Sequence, residues 1–173
     1  MTRFGIPGYR PEWLEGRTAL TAAHGRRLAA LAGRVLAHVW LLWDLDDGTW
    51  FADAPVLLDF GSERVAVDHQ KFGDLCITWN VIDPAAPVDY PDFRLAWRPE
   101  PLPGLAELRG RGLKAVEFLE WWPPERPAAA PWGTVDVGFD LSPGWLTVFN
   151  ALDENGIRHE PPGPEWRRFK VDG

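Results

Sequence analysis

Leu28-Ala-Ala-Leu-Ala-Gly-Arg-Val-Leu-Ala-His-Val-Trp-Leu-Leu42 recurs 77 residues later as Leu105-Ala-Glu-Leu-Arg-Gly-Arg-Gly-Leu-Lys-Ala-Val-Glu-Phe-Leu119. Eight of the fifteen positions are identical and follow the pattern LAxLxGRxLxxVxxL. A match of this length inside one chain reads as a duplication. The likeness continues downstream. Val56-Leu-Leu-Asp-Phe60 aligns with Val135-Asp-Val-Gly-Phe139 at an offset of 79, and after a turn Val65-Ala-Val67 answers Leu146-Thr-Val148. Each copy therefore reads as a helical turn or loop, a strand and a hairpin. A unit of roughly 45 residues cannot bury enough apolar surface to stand alone, so the copies must pack on each other. The expected fold is mainly β: a single domain over 1–173, built from two related strand-hairpin repeats (28–69 and 105–150) as a pseudo-twofold sandwich or open barrel. A short N-terminal helix precedes them.

Around these repeats the chain divides at its prolines. Residues 1–17 read as an irregular arm, and Thr18 is a candidate N-cap for a helix reaching toward Ala32. Asp47-Gly48 supplies a hairpin turn. Strands are expected near 55–60, 64–69 and 74–81. A proline-rich connector covers 84–104, within which Phe93, Leu95 and Trp97 share one face of an alternating strand. In the second copy strands fall near 113–121, 133–140 and 145–151, interrupted by a loop at Pro123-Pro-Glu-Arg-Pro127 and Pro131. Asp153-Glu-Asn-Gly156 is the strongest turn pattern in the chain, because Asn-Gly accommodates two positive φ angles. Residues 161–173 read as a C-terminal tail, held by Trp166 and Phe169.

With 46% apolar and 25% charged residues the composition is that of a globular domain. No apolar run approaches the ~20 residues of a membrane span, and the first residues lack the apolar stretch of a secretory leader. These features place the protein in the cytoplasm. The scarcity of lysine, 3 of 18 basic residues, fits the codon bias of a GC-rich, bacterial genome. The net charge of −7 is unevenly spread. Residues 1–43 carry six arginines against two glutamates, whereas 44–92 carry eleven acids against Arg64 and Lys71. An acidic middle without a concentrated basic patch argues against nucleic acid and for a basic protein partner. Asp44, Asp46, Asp47 and Asp53, with Trp50 as an aromatic anchor, are the residues such a partner would meet.

Motifs of chemistry are few. Cys76, the single cysteine, has no disulfide or metal partner and reads as a buried thiol. The Asp44-Leu-Asp-Asp-Gly48 run lacks the ligand spacing of a calcium loop. His24, His38, His69 and His159 show no zinc spacing, and His69 follows Asp68 in a strand, which sends the two side chains to opposite faces. No nucleophile elbow, phosphate loop or dinucleotide fingerprint occurs. No catalytic residue, metal or cofactor is therefore assigned. Gly33-Arg34 and Gly110-Arg111 stand in both copies. The glycines suit positive φ, and the arginines suit structural pairing or, with His69, a carboxylate or phosphate ligand between the repeats.

The resulting expectation is a non-enzymatic interaction protein, for which an immunity-type inhibitor masking a basic toxin is the class-level analogy. Two other readings are a small ligand-binding domain or enzyme with its site between the repeats (Arg34, His69, Arg111), and a carbohydrate-binding module using Trp121, Trp122 or Trp132.

Overall fold

The two GRxL segments lie antiparallel against each other in the computed structural model, which describes residues 2–125 and 134–173. Gly33 N–H donates to Leu113 O (2.8 Å) and Gly110 N–H to Leu36 O (2.8 Å). Leu36 N–H donates to Arg111 O (2.9 Å) and Leu113 N–H to Arg34 O (2.8 Å). Exchanging every residue for its counterpart 77 places away converts each bond into its mate. Val35 and Gly112, themselves counterparts, form the bridge at the centre. Gly33 (φ 87°) and Gly110 (φ 79°) both take the left-handed turn that brings the chain into this pairing. Leu31, Leu36, Leu108 and Leu113 are buried around the junction.

Ahead of the first motif, a 3-10 turn (Arg3–Gly5) and strand β1 (Leu14–Glu15) lead into helix α1 (Arg17–Ala29). Leu20 and Leu28, eight residues apart, bury one side of the helix, and Arg26 and Arg27 suit the negative end of its dipole. Gly16 (φ 81°) stands at the N-cap with no side-chain cap, so Thr18 lies inside the first turn rather than capping it.

Strands β2 (His38–Asp44), β3 (Thr49–Trp50), β4 (Val56–Asp59), β5 (Arg64–His69), β6 (Asp74–Trp79) and β7 (Leu95–Pro99) join β1 in a seven-stranded antiparallel sheet. Its order is β1-β6-β5-β4-β2, and β3 and β7 both pair with β2. The second sheet holds β8 (Ala115–Trp121), β9 (Val135–Leu141), β10 (Gly144–Asn150), β11 (Asn155–Arg158) and β12 (Trp166–Lys170) in the order β11-β10-β9-β8-β12. The path β6-β5-β4-β2-β7 is thus repeated strand for strand. Neither sheet closes on itself: β7 and β12 return beside β2 and β8 and leave separate edges. The expected C-terminal tail contains β12, whose Phe169 pairs with Phe118 and Arg168 with Leu119.

The ladders also correct the alignment. His38 pairs with Asp59 as Ala115 pairs with Asp140, and Asp59 faces Arg64 as Asp140 faces Trp145. Asp59 therefore corresponds to Asp140, at an offset of 81 rather than 79. Both carboxylates accept the backbone N–H two residues on, Gly61 at 2.8 Å and Ser142 at 2.9 Å. A two-residue slip keeps every side chain on its face, so apolar patterning alone does not detect it.

One core cluster draws on both sheets, with Val39, Leu41, Leu58, Val65 and Val67 from the first and Val116, Phe118, Val137, Phe139 and Val148 from the second. The first sheet is buried on its other face too. There Leu42, Leu57, Ala66, Leu95 and Trp97 form a second cluster with Ile6 and Tyr9 of the N-terminal arm and Ile82 of the β6–β7 connection. This explains why β4 is buried at every position, as its unbroken apolar run implies. Trp79 packs against the shared core and Trp97 within the second cluster, so the two indoles lie on opposite faces.

Asn155 and Gly156 overturn the expected Asn-Gly turn. The positive φ angles belong to Leu152 (58°) and Asp153 (72°), and Asn155 opens β11. Its amide is buried, because it joins the two sheets: Nδ2 donates to Ala52 O (3.1 Å), Ala54 O (2.9 Å) and Asp68 Oδ1 (2.9 Å), while Oδ1 accepts the His69 backbone N–H (2.7 Å). Gly156 is required for a different reason, since a Cβ there would lie 2.3 Å from Phe149 Cζ. Replacing Asn155 by Ala strands the His69 N–H and takes a donor from Ala54 O and Asp68 Oδ1, while Ala52 O keeps the backbone N–H of residue 155 (2.9 Å). At ~1–3 kcal/mol per buried unsatisfied group, Asn155→Ala should lower the unfolding free energy in urea by about 3 kcal/mol or more. A loss under about 1 kcal/mol would show that the amide does not hold the sheets together.

Candidate functional site

The structure places the acidic residues of 44–53 in different roles. Asp44 is buried at the end of β2, and its Oδ1 accepts the backbone N–H of Asp46 (2.9 Å) and Asp47 (3.2 Å), closing the β2–β3 turn. Asp46 is paired with Arg94 at 2.7 Å. Trp50 packs against the shared core. Asp47 and Asp53 are exposed and make no ion pair among the described residues. Of the two Gly-Arg arginines, Arg34 donates to the Ser62 hydroxyl and Arg111 Nε to Glu107 O (2.8 Å). Their backbones meet across the junction. Leu31, Leu36, Leu108 and Leu113 are buried beside that contact.

His69 lies elsewhere, buried between the sheets, with Nδ1 3.2 Å from Asn155 Oδ1 and Nε2 3.0 Å from Val135 O. Burial lowers its pKa to about 4. Its neighbour Asp68 points the other way and accepts from the Tyr9 hydroxyl at 2.6 Å. Burial raises that carboxyl to about 6 against its two hydrogen bonds and the nearby Arg3 guanidinium. Burial likewise raises the Tyr9 hydroxyl, and it pushes the Cys76 thiol to about 11. None of these four side chains lines a recess described here. Together they fasten the N-terminal arm and β11 to β5.

The recess with the most chemistry opens on the outer face of the second sheet. It encloses about 270 Å³ between Trp121 of β8, Phe149 of β10 and Trp166 of β12, with Asp136 of β9 and Arg158 of β11 between them. Strand alternation sets this up. Val135 and Val137 enter the shared core, so Asp136 must face outward, and Trp121 and Trp166 are direct cross-strand partners. Arg158 Nη2 contacts Asp136 Oδ2 at 2.8 Å, with Asp136 4% and Arg158 36% exposed. The guanidinium carbon lies 4.1 Å from the Phe149 ring centre and 4.7 Å from that of Trp166. The rings hold the cation in place, and the carboxylate fixes one edge of its donor fork. Burial raises the Asp136 carboxyl to about 6, although Arg158 and the Asn150 backbone N–H pull the other way.

The recess exists because the two sheets are covered differently. In the first, the 80–94 connection and the N-terminal arm lie over the outer face. In the second, the connection from β11 to β12 spans only 159–165, and the corresponding end of the face stays open. Of its lining, the sequence names Trp121, as a candidate sugar platform, and Trp166, as an anchor of the C-terminal tail. Trp122 is exposed, with the Arg167 guanidinium 3.8 Å from its ring centre, and Trp132 lies outside the described residues. Asp136 and Arg158 are more than 20 positions apart, and the visible trace was one acid inside the apolar run Val135–Phe139. Among the described residues no group of three or more His, Cys, Asp or Glu could hold a metal ion, and no helix is long and apolar enough to cross a membrane. Comparison with protein families, curated proteins and solved structures found no match to this chain.

Asp136 gives the site a pH signature. Its carboxyl keeps a proton up to about pH 6 when folded but only to the ordinary 3.8 when unfolded. This group therefore favours the native state at acid pH, and the contribution is lost as pH rises through that window. The stability difference between wild type and Asp136→Asn, measured by urea unfolding, should move against wild type between pH 4 and 6 and level off above. A difference independent of pH would show that Asp136 is not perturbed.

Proposed function

We propose that the protein is a binding protein, built by internal duplication as two stacked sheets in one domain, and that the recess between Trp121, Phe149 and Trp166 is its ligand seat. The duplication is supported by the reciprocal bonds across Val35 and Gly112, the repeated strand order and the matching Asp59 and Asp140 turns. Stacking is supported by the single core cluster that both sheets feed.

The observation that carries the functional reading is the unequal treatment of the two outer faces. One is sealed by apolar side chains of the chain itself, and the other presents aromatic walls around a buried acid–guanidinium pair. Such a mix of apolar wall and a few fixed polar groups is what small-ligand recognition requires. The ion pair is internally neutral and braced by rings, which suits it to orient a guest rather than to exchange protons with it. A guest with a flat apolar face and a polar edge, such as a sugar ring or an amino acid, matches the recess in size and character. The acidic segment makes a weaker case for a basic partner, because Asp44 and Asp46 are already engaged within the fold and leave Asp47 and Asp53.

Saturation-transfer NMR with a panel of free monosaccharides and amino acids tests this. Wild type should transfer saturation to at least one panel member, and Trp121→Ala, which removes a half-buried wall, should weaken that signal about tenfold, equivalent to ~1.4 kcal/mol. Binding that survives Trp121→Ala unchanged, or no transfer to any panel member, would count against the recess.

A further inference from the structure

A second constellation lies at the junction of the two halves, away from the recess. Glu100 follows β7 with its backbone at φ 45°, a left-handed conformation that is strained for a non-glycine residue. The conformation places a carboxylate that is only 6% exposed beside His38. Glu100 Oε1 accepts the Val39 backbone N–H at 2.8 Å and lies 3.1 Å from His38 Nδ1, and Oε2 is 3.3 Å from the same nitrogen. Arg109 Nε stands 3.9 Å from Oε2. His38 and Arg109 both line an open hollow of about 460 Å³, whose other walls include the small residues Ala37, Ala106 and Gly110.

The bland explanation is that the carboxylate merely finishes the β2–β7 ladder. The second half of the molecule argues otherwise. There Val171 takes the place of Glu100, donating its N–H to Val116 O at 2.9 Å as Glu100 donates to Val39 O at 2.9 Å, and Ala115 takes the place of His38. The same ladder end is built with an alanine and a valine. The strained acid and the imidazole are therefore additions to the junction that strand pairing does not need.

We propose that this hollow is a proton-linked oxyanion site, which takes a carboxylate or phosphate group between the Arg109 guanidinium and His38 Nε2. A carboxylate at Nδ1 requires the proton on that nitrogen, so Nε2 of the neutral ring carries a lone pair and repels an anion. Uptake of one proton from solvent turns Nε2 into a donor. His38 and Arg109 then outweigh Glu100 by one positive charge. The remaining charged groups facing the ring are Asp59, its partner across the β2–β4 ladder, and Arg64, which neutralises Asp59 at 3.1 Å. The Trp40 ring centre lies 5.2 Å from that of His38.

The test is an NMR titration of the wild type with inorganic phosphate and, separately, with acetate, each at an acidic and an alkaline pH. At acidic pH one or both anions should shift the His38 ring and Arg109 side-chain resonances, and at alkaline pH the affinity should fall about tenfold or more. Response to phosphate alone or to acetate alone identifies the source of the oxyanion. Arg109→Ala should weaken binding by a similar factor. His38→Ala/Glu100→Gly, which removes both side chains and leaves at 100 a residue that accepts the left-handed backbone, should abolish it while the protein stays folded. Should the double variant not fold, the exposed Arg109→Ala carries the test alone. Absence of a shift with either anion, affinity that does not depend on pH, or unchanged binding by Arg109→Ala would overturn the proposal.

Discussion

The antiparallel contact between Gly33–Leu36 and Gly110–Leu113 is the constraint from which the rest of the architecture follows. Four backbone hydrogen bonds are exchanged there, and each half supplies two donors and two acceptors. Leu36 and Leu113, the buried members of the contact, each donate one of these bonds, and a buried amide left without a partner costs about as much as a lost hydrogen bond. Each segment supplies the other's partners. Because β2 and β8 leave the contact two residues later, the pairing also fixes where both sheets begin and how their inner faces come to share one cluster. The glycines matter because the chain must turn with positive φ to enter the contact.

A second tie lies at the far end of each sheet's path. Asn155 gives its amide to the 52–54 segment and to β5, and Asn150 Nδ2 donates to Gln70 O (2.6 Å) and Phe72 O (3.0 Å). The β10–β11 hairpin is therefore clamped to the β5–β6 hairpin by polar side chains, whereas the junction end is held by backbone and leucine. Buried amides used in this way favour one arrangement over others, because any shift leaves several groups unpaired at once.

What differs between the halves is more informative about function than what they share. The first half spends its long β6–β7 connection and the N-terminal arm on covering its outer face, and it buries Asp68, Tyr9 and Cys76 beneath them. The second half, with a shorter connection, leaves three aromatic rings and the Asp136–Arg158 pair accessible. At the junction the asymmetry runs the other way, with His38 and Glu100 in the first half against Ala115 and Val171 in the second. The two ladder ends also differ in backbone, since Glu100 takes a left-handed φ of 45° and Val171 does not.

The sequence by itself determined the β class, most strand positions and the left-handed glycines, because alternation and turn residues are local properties of a chain. Its reach ended where pairing was non-local. The two-residue slip at Asp59 and Asp140 preserves every face, so patterning could not reveal it, and Asn155-Gly156 looked like a turn because neither its amide's partners nor the Phe149 ring is nearby in sequence. The tail became β12 for the same reason, its partners in β8 lying 45 to 53 residues upstream. The aromatic recess and the His38–Glu100–Arg109 cluster were likewise decided only by tertiary structure, since each gathers side chains from three or more separate segments. Side-chain chemistry can be read along a chain, but its convergence depends on which strands end as neighbours, and that is set by the burial and hydrogen bonding of the whole.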